Sequence, residues 1–210
     1  MIIIKSGEKL RTYRIYLMAS KIIFLNGCSS AGKTSLVKAI QHLSEEPWLT
    51  SGVDVSLAVM PAKYLPGGKK ANEGINFVPG TDEKGFPIMK VESGDYGKKV
   101  SQSIRKAVKC LADDGHNLIL DEVIWNKKDL ENYASLLKNH YVYYVEVNCK
   151  LPIIEEREIL RGDRARGLAR GQFAKMEELG KLWEYDLEID TSSNSPFTNA
   201  KKILEFVKEK

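Results

Sequence analysis

Ile22-Ile23-Phe24-Leu25-Asn26-Gly27-Cys28-Ser29-Ser30-Ala31-Gly32-Lys33-Thr34-Ser35-Leu36 decides the fold. The leading apolar residues read as a buried strand, because the run is too short for a helix and is closed by Asn-Gly. Gly27-x-x-x-x-Gly32-Lys33-Thr34 then fits the phosphate-binding loop without a mismatch, and Leu36, Val37, Ile40 and Leu43 continue at helical spacing. The spacing has a chemical reason. Glycines let the chain turn so that successive N–H groups face inward, and the next helix adds the positive end of its dipole. The residues that would touch phosphate are Gly27, Cys28, Ser29, Ser30, Ala31, Gly32, Lys33, Thr34 and Ser35. Among them Lys33 reaches for the β- and γ-phosphates, and the Thr34 hydroxyl is suited to hold Mg²⁺. The stretch predicts a nucleoside triphosphate site.

Outward from this run, strand and helix patterns alternate. Gly52-Val53-Asp54-Val55 reads as a short second strand, Asn117 to Val123 as a central strand ending in acid, Tyr141 to Val147 as another, and Leu187 to Asp190 as the last. Helical stripes intervene at Ile104–Leu111, Leu130–Leu137, Pro152–Leu160, Phe173–Leu182 and Ala200–Val207. Such alternation implies an α/β fold, a three-layer parallel sheet with helices on both faces, whose ligands sit at the carboxyl ends of the strands. Residues 60–94 break the pattern with repeated Pro and Gly, apart from a hairpin signal through Ile75–Phe77 and Phe86–Ile88, and long segments of this kind are usually lids or substrate-binding loops.

Composition bounds the rest. At 210 residues one domain is expected. No stretch approaches the roughly 18 apolar residues of a membrane span, and the start lacks the apolar core of a signal peptide. Cys28, Cys110 and Cys149 are odd in number and without metal-ligand spacing, as for free thiols in a cytoplasmic protein. Cys28 lies within the loop, where Lys33 and nearby N–H groups favour a thiolate, although a small residue tolerated by packing accounts for it as well. The net charge is +4, and the first 21 residues carry five basic side chains against Glu8 alone, so the remainder balances at 27 basic against 27 acidic. A neutral domain argues against a nucleic-acid partner, which needs a basic face on the domain itself. Residues 1–20 read as a basic extension, of which 1–17 are expected to be dispensable, and 21–210 as the domain.

Several side chains are candidates for chemistry. Asp121 closes an apolar strand where a carboxylate binds Mg²⁺ directly or through water, the alternative being a simple cap of the strand's loop. Asp54 closes the second strand on the side of the γ-phosphate, where a carboxylate takes a hydroxyl proton, or else forms a turn. Arg157, Arg161 and Arg164 fall at i, i+4 and i+7, on one face if the helix persists, and Arg166 and Arg170 extend the run. Their guanidinium groups suit a phosphate-clamping lid over 157–170, against the simpler reading of a solvated face paired with Glu155, Glu156, Glu158 and Asp163. Asn126-Lys127-Lys128-Asp129 matches a guanine-reading motif, but it follows the Asp121 strand directly and no switch glycine precedes it, so it reads as a helix-starting loop. His42, His116 and His140 are scattered and indicate neither a metal site nor a triad.

Leu25 to Thr34, followed by Glu46-Pro47-Trp48-Leu49 and Gly52-Val53-Asp54, resembles the chloramphenicol phosphotransferase family. So do Glu156-Arg157-Glu158 leading to Arg161-Gly162-Asp163-Arg164, and Tyr185-Asp186-Leu187-Glu188-Ile189-Asp190-Thr191, over about residues 20–210 in order. The resemblance implies a nucleoside-monophosphate-kinase-like fold and an ATP-dependent O-phosphotransferase for a small hydroxylated molecule, chloramphenicol being the namesake. It implies Asp54 as general base and Arg161 and Arg164 as lid arginines, with Arg157 a weaker candidate. A kinase for another acceptor (a sugar nucleotide, a metabolite or a nucleic-acid end) and a non-catalytic nucleotide switch are the rival expectations.

Overall fold

The computed structural model describes residues 19–162 and 165–210, together with the backbone of residues 2–4 and 11–13. In order the elements are β1 (Ile2–Ile4), β2 (Arg11–Tyr13), β3 (Lys21–Asn26), α1 (Lys33–Leu43), β4 (Trp48–Gly52), α2 (Val53–Ala58), β5 (Ile75–Thr81), β6 (Pro87–Ser93), α3 (Asp95–Asp113), β7 (Asn117–Glu122), α4 (Lys127–Leu136), β8 (Tyr141–Asn148), α5 (Leu151–Arg161), α6 (Leu168–Leu182), β9 (Leu187–Asp190) and α7 (Pro196–Glu209).

Five strands form one parallel sheet in the order β4-β7-β3-β8-β9. Alternation along each strand sends neighbouring side chains into two different cores. On β3, Ile23 and Leu25 join Leu36 and Ile40 of α1 and Ala200 and Ile203 of α7, whereas Ile22 and Phe24 meet Val108 of α3 and Leu130 and Tyr133 of α4. Near-continuous apolar strands follow from this burial on both faces. β3 is flanked by β7 and β8, so successive crossovers leave it in opposite directions and open a crevice at its carboxyl end. The phosphate-loop sequence lies in that crevice.

Four expectations need correction. Gly52 to Val55 is not a strand: β4 begins at Trp48 and stops at Gly52, and α2 starts at Val53. Gly52 is paired with Asp121 of β7, and a Cβ there would collide with the Asp121 carbonyl oxygen, so β4 ends in close backbone approach before the chain turns. The helix through Arg157 does not persist to residue 164. It stops at Arg161, where Gly162 takes a left-handed φ of 68°. Residues 60–94 hold more regular structure than expected, since β5 and β6 form a full antiparallel hairpin with Ile75 opposite Ser93 and Thr81 opposite Pro87. α6 also begins five residues before the expected Phe173, because Glu158 of α5, 3% exposed, accepts hydrogen bonds from the Gly167 and Ala169 amides and caps it.

Within the expected 1–20 extension, β1 and β2 pair antiparallel in a sheet separate from the main one. The rest of that segment as far as Met18 lies outside the described residues. Among the described residues no helix is long and apolar enough to cross a membrane.

Candidate active site

The loop between β3 and α1 is held from three sides. Gly27 passes so close to β8 that a Cβ would stand 2.5 Å from the Val147 carbonyl oxygen. Asn26, buried at the end of β3, donates to Ile124 O (2.8 Å) and accepts from Ile124 N (2.8 Å), which ties the loop's entry to the chain beyond β7. At the far side Thr191, just past β9, donates from Oγ1 to Ala31 O at 2.6 Å. Ser30 is forced to a φ of 61°, a conformation that non-glycine residues hold only when their surroundings impose it.

Lys33 opens α1 and is 5% exposed. Its ammonium donates to Gly27 O and Cys28 O, both at 2.9 Å, and lies 3.5 Å from Asp121 Oδ1. A cation so deeply placed is tolerable only with this compensation. Thr34 Oγ1 donates to Asp121 Oδ2 at 2.8 Å, so the hydroxyl and the strand-end carboxylate that the sequence assigns to a metal stand side by side. Their hard oxygens suit Mg²⁺, which takes one or two protein oxygens and completes its shell with water and phosphate. Phosphate also fits the loop: the Ser30 hydroxyl is buried and has no hydrogen-bond partner among the described residues.

Burial pushes the Cys28 thiol up to about 12, against the opposing pull of Lys33, so this cysteine is a packed small residue and not a reactive thiolate. Asn126 accepts from the Asp129 amide and caps α4, as expected of a helix-starting loop.

A cleft of about 630 Å³ runs across the carboxyl ends of the strands. It is lined by Lys33, Thr34 and Asp121, by Thr191, Asn194 and Pro196, and by the apolar side chains of Leu57, Ile75, Phe77, Val91, Ile104 and Trp125. Asp54 lines it too. It stands in the first turn of α2, two residues beyond Gly52, the strand partner of Asp121. The expected strand end is therefore a helix start, but the carboxylate shares the cleft with the phosphate loop.

The basic run divides. Arg161 ends α5 and lines the cleft. Arg164 lies outside the described residues. Arg157 also lines the cleft, but it is anchored: its guanidinium donates to Thr191 O at 2.7 Å and to Thr191 Oγ1 and Cys149 Sγ at 3.4 Å each. Through Thr191, which donates to Ala31 O, it braces the loop. Arg170 pairs with Glu155 (2.5 Å) and with Asp82 of the hairpin tip (3.1 Å), and its guanidinium covers the Phe86 ring at 4.6 Å. Together with Met89 N donating to Gly167 O, this binds the hairpin to α6.

Two cleft residues are not among the candidates taken from the sequence. Glu122 follows Asp121 and therefore points to the opposite face of the sheet, where it accepts from the Tyr133 hydroxyl at 2.8 Å. Burial drives its carboxyl up to about 7, and the Tyr133 hydrogen bond and then Arg105 only partly offset that. Two adjacent acids at the end of an apolar strand were the available signal. Gln172 of α6 has no local signal at all; its Oε1 accepts from the Ser29 amide at 2.8 Å, across 143 residues of sequence.

Residues 20–208 match the chloramphenicol phosphotransferase-like protein family. The chain belongs to that family. A Mycobacterium tuberculosis H37Rv relative, named only as a candidate O-phosphotransferase, is 32% identical over 197 residues, covering 92% of this chain and 86% of its own length. Among solved structures, a gluconokinase from Sinorhizobium meliloti 1021 aligns with a TM-score of 0.58 at 14% identity, over 91% of this chain and 93% of that one. The M. tuberculosis APS kinase CysC, solved with AMPPNP and APS, aligns with a TM-score of 0.55 at 12% identity, over 90% and 98%. At such identities these two speak to the fold, which is that of P-loop kinases. Family and fold together are those of a kinase-type O-phosphotransferase.

Proposed function

We propose that this member of the chloramphenicol phosphotransferase-like family transfers the γ-phosphoryl group of ATP to a hydroxyl of a small molecule, with a chloramphenicol-like antibiotic the first candidate acceptor. The observation that carries the reading is the shared cleft: a carboxylate other than Asp121, Asp54, lines the same cleft as the phosphate loop, together with apolar side chains.

Phosphoryl transfer leaves the protein chiefly positioning and charge to supply. The loop amides, the Ser30 hydroxyl and Lys33 would hold the phosphates, Lys33 leaving its two carbonyls to do so. Thr34 and Asp121 would hold Mg²⁺, whose contribution is to neutralise charge on the phosphate oxygens. The base would rest toward Thr191 and Pro196. Asp54 would accept the proton of the acceptor hydroxyl as its oxygen bonds to phosphorus and the bond to ADP breaks. Arg161, with Arg164 beyond it, would cover the transferring group as the part of the 157–170 lid between the anchored Arg157 and Arg170, excluding water that would otherwise hydrolyse ATP. The walls of Leu57, Ile75, Phe77, Val91 and Ile104 suit an acceptor with an apolar body, and the Arg105–Asp129 ion pair at 3.5 Å gives polar groups at its edge.

Incubation of the protein with MgATP and a panel of hydroxylated acceptors, headed by chloramphenicol, tests this by mass spectrometry. The expected result is an acceptor carrying one added phosphoryl group with stoichiometric ADP. ATP binding without transfer to any member of a broad panel would favour a nucleotide switch instead.

A further inference from the structure

The peptide unit joining Cys28 to Ser29 is gripped at both ends. Lys33 Nζ donates to its carbonyl oxygen at 2.9 Å, and Gln172 Oε1 accepts from its N–H at 2.8 Å. Gln172 is 6% exposed and lines the cleft. A primary amide has one acceptor oxygen and two N–H donors. The oxygen is spent on Ser29, and among the described residues Nε2 has no hydrogen-bond partner. With the oxygen fixed on Ser29 and the residue lining the cleft, Nε2 is left to donate to what occupies the cleft.

Which phosphate that is follows from the same peptide. Loop amides at the start of the helix cradle the inner phosphates, and the loop lysine serves the β- and γ-phosphates. The Cys28–Ser29 peptide lies at the strand end of the loop, away from the helix start at Lys33, and so faces the outer end of the phosphate track. Gln172 reaches that peptide from α6, whose position is set by the Glu158 cap and by the ties from Arg170 and Gly167 to the hairpin.

We propose that Gln172 is a γ-phosphate-binding residue: its Oε1 holds the Cys28–Ser29 peptide in place while its Nε2 donates to a γ-phosphoryl oxygen. This deepens the kinase reading and rests on it for the nucleotide. It gives the site a contact that ATP makes and ADP does not, supplied by the helix that carries the acceptor hairpin.

Isothermal titration of AMPPNP and of ADP, each with Mg²⁺, into the wild type, Gln172→Glu and Gln172→Ala tests it. Glutamate keeps an acceptor for the Ser29 N–H and so preserves the loop, but it turns a carboxylate toward the γ-phosphate. The expected result is an ADP affinity within about threefold of wild type for Gln172→Glu, with AMPPNP weakened by about tenfold to a hundredfold, the range for a lost hydrogen bond to a charged group. Gln172→Ala should lose the same preference for AMPPNP over ADP. A Gln172→Glu protein with the wild-type ratio of the two affinities would reduce Gln172 to a brace for the loop and overturn the proposal. A wild type that binds neither nucleotide would fail the kinase reading itself, a result distinct from an unchanged ratio.

Discussion

Replacing Glu122 by glutamine isolates the cost of keeping a carboxyl inside the sheet. Glu122 is 7% exposed, accepts from the Tyr133 hydroxyl at 2.8 Å, and burial lifts its carboxyl from 4.5 to about 7. A raised carboxyl value means that the native protein holds a proton the unfolded chain releases. Below about pH 4.5 both states are protonated and the group adds no pH dependence. Between there and about pH 7 the unfolded chain ionises first, so stability falls as pH rises, and above pH 7 the loss is constant. At 1.36 kcal/mol per pH unit of separation the loss comes to about 3 kcal/mol. Glutamine keeps an oxygen for Tyr133 but does not titrate. The amide brings its own offset, which cancels when the two proteins are compared at two pH values. Urea unfolding at pH 4 and pH 8 should therefore show the wild type losing about 3 kcal/mol more than Glu122→Gln over that interval. Stability curves that run parallel to within about 0.5 kcal/mol would refute the reasoning from burial.

Arg170→Met removes the ion pairs to Glu155 and Asp82 while keeping bulk beside Phe86. Hydrogen exchange in residues 75–93 should speed up and the acceptor KM should rise several-fold, with the KM for ATP unchanged; equal exchange in the two proteins would sever the hairpin from α6. Thr191→Val deletes the hydroxyl that donates to Ala31 O at 2.6 Å and leaves that carbonyl short of a partner. It should cost about 1–3 kcal/mol of stability and weaken ADP binding, measured by urea unfolding and titration calorimetry.

The strands and the phosphate loop were legible because their signals are local. β3, β7 and β8 are apolar runs bounded by turn residues, and Gly27 to Thr34 is a contiguous motif. β4 was misplaced because Val53-Asp54-Val55 alternates like a strand, whereas the backbone contact of Gly52 with Asp121 decides where the strand stops. The arginine run shows the limit of spacing more sharply. Arg157, Arg161 and Arg170 look alike in sequence, yet Arg157 braces Thr191, Arg161 lines the cleft and Arg170 joins Glu155 to the hairpin. Those roles depend on partners as far as 88 residues away, as with Asp82 and Arg170, and helical periodicity carries no information about them. Gln172 was invisible for the same reason, while Glu122 was within reach of strand alternation.

The central claim is that Asp54 primes an alcohol beside a triphosphate held by the Lys33 loop. Asp54→Asn compared with the wild type, in nucleotide titration and in acceptor phosphorylation under single-turnover conditions, tests it most directly. The account predicts MgATP affinity within about threefold of wild type and a loss of phosphoryl transfer of ~10²–10⁴-fold. Near-wild-type transfer by Asp54→Asn would contradict it.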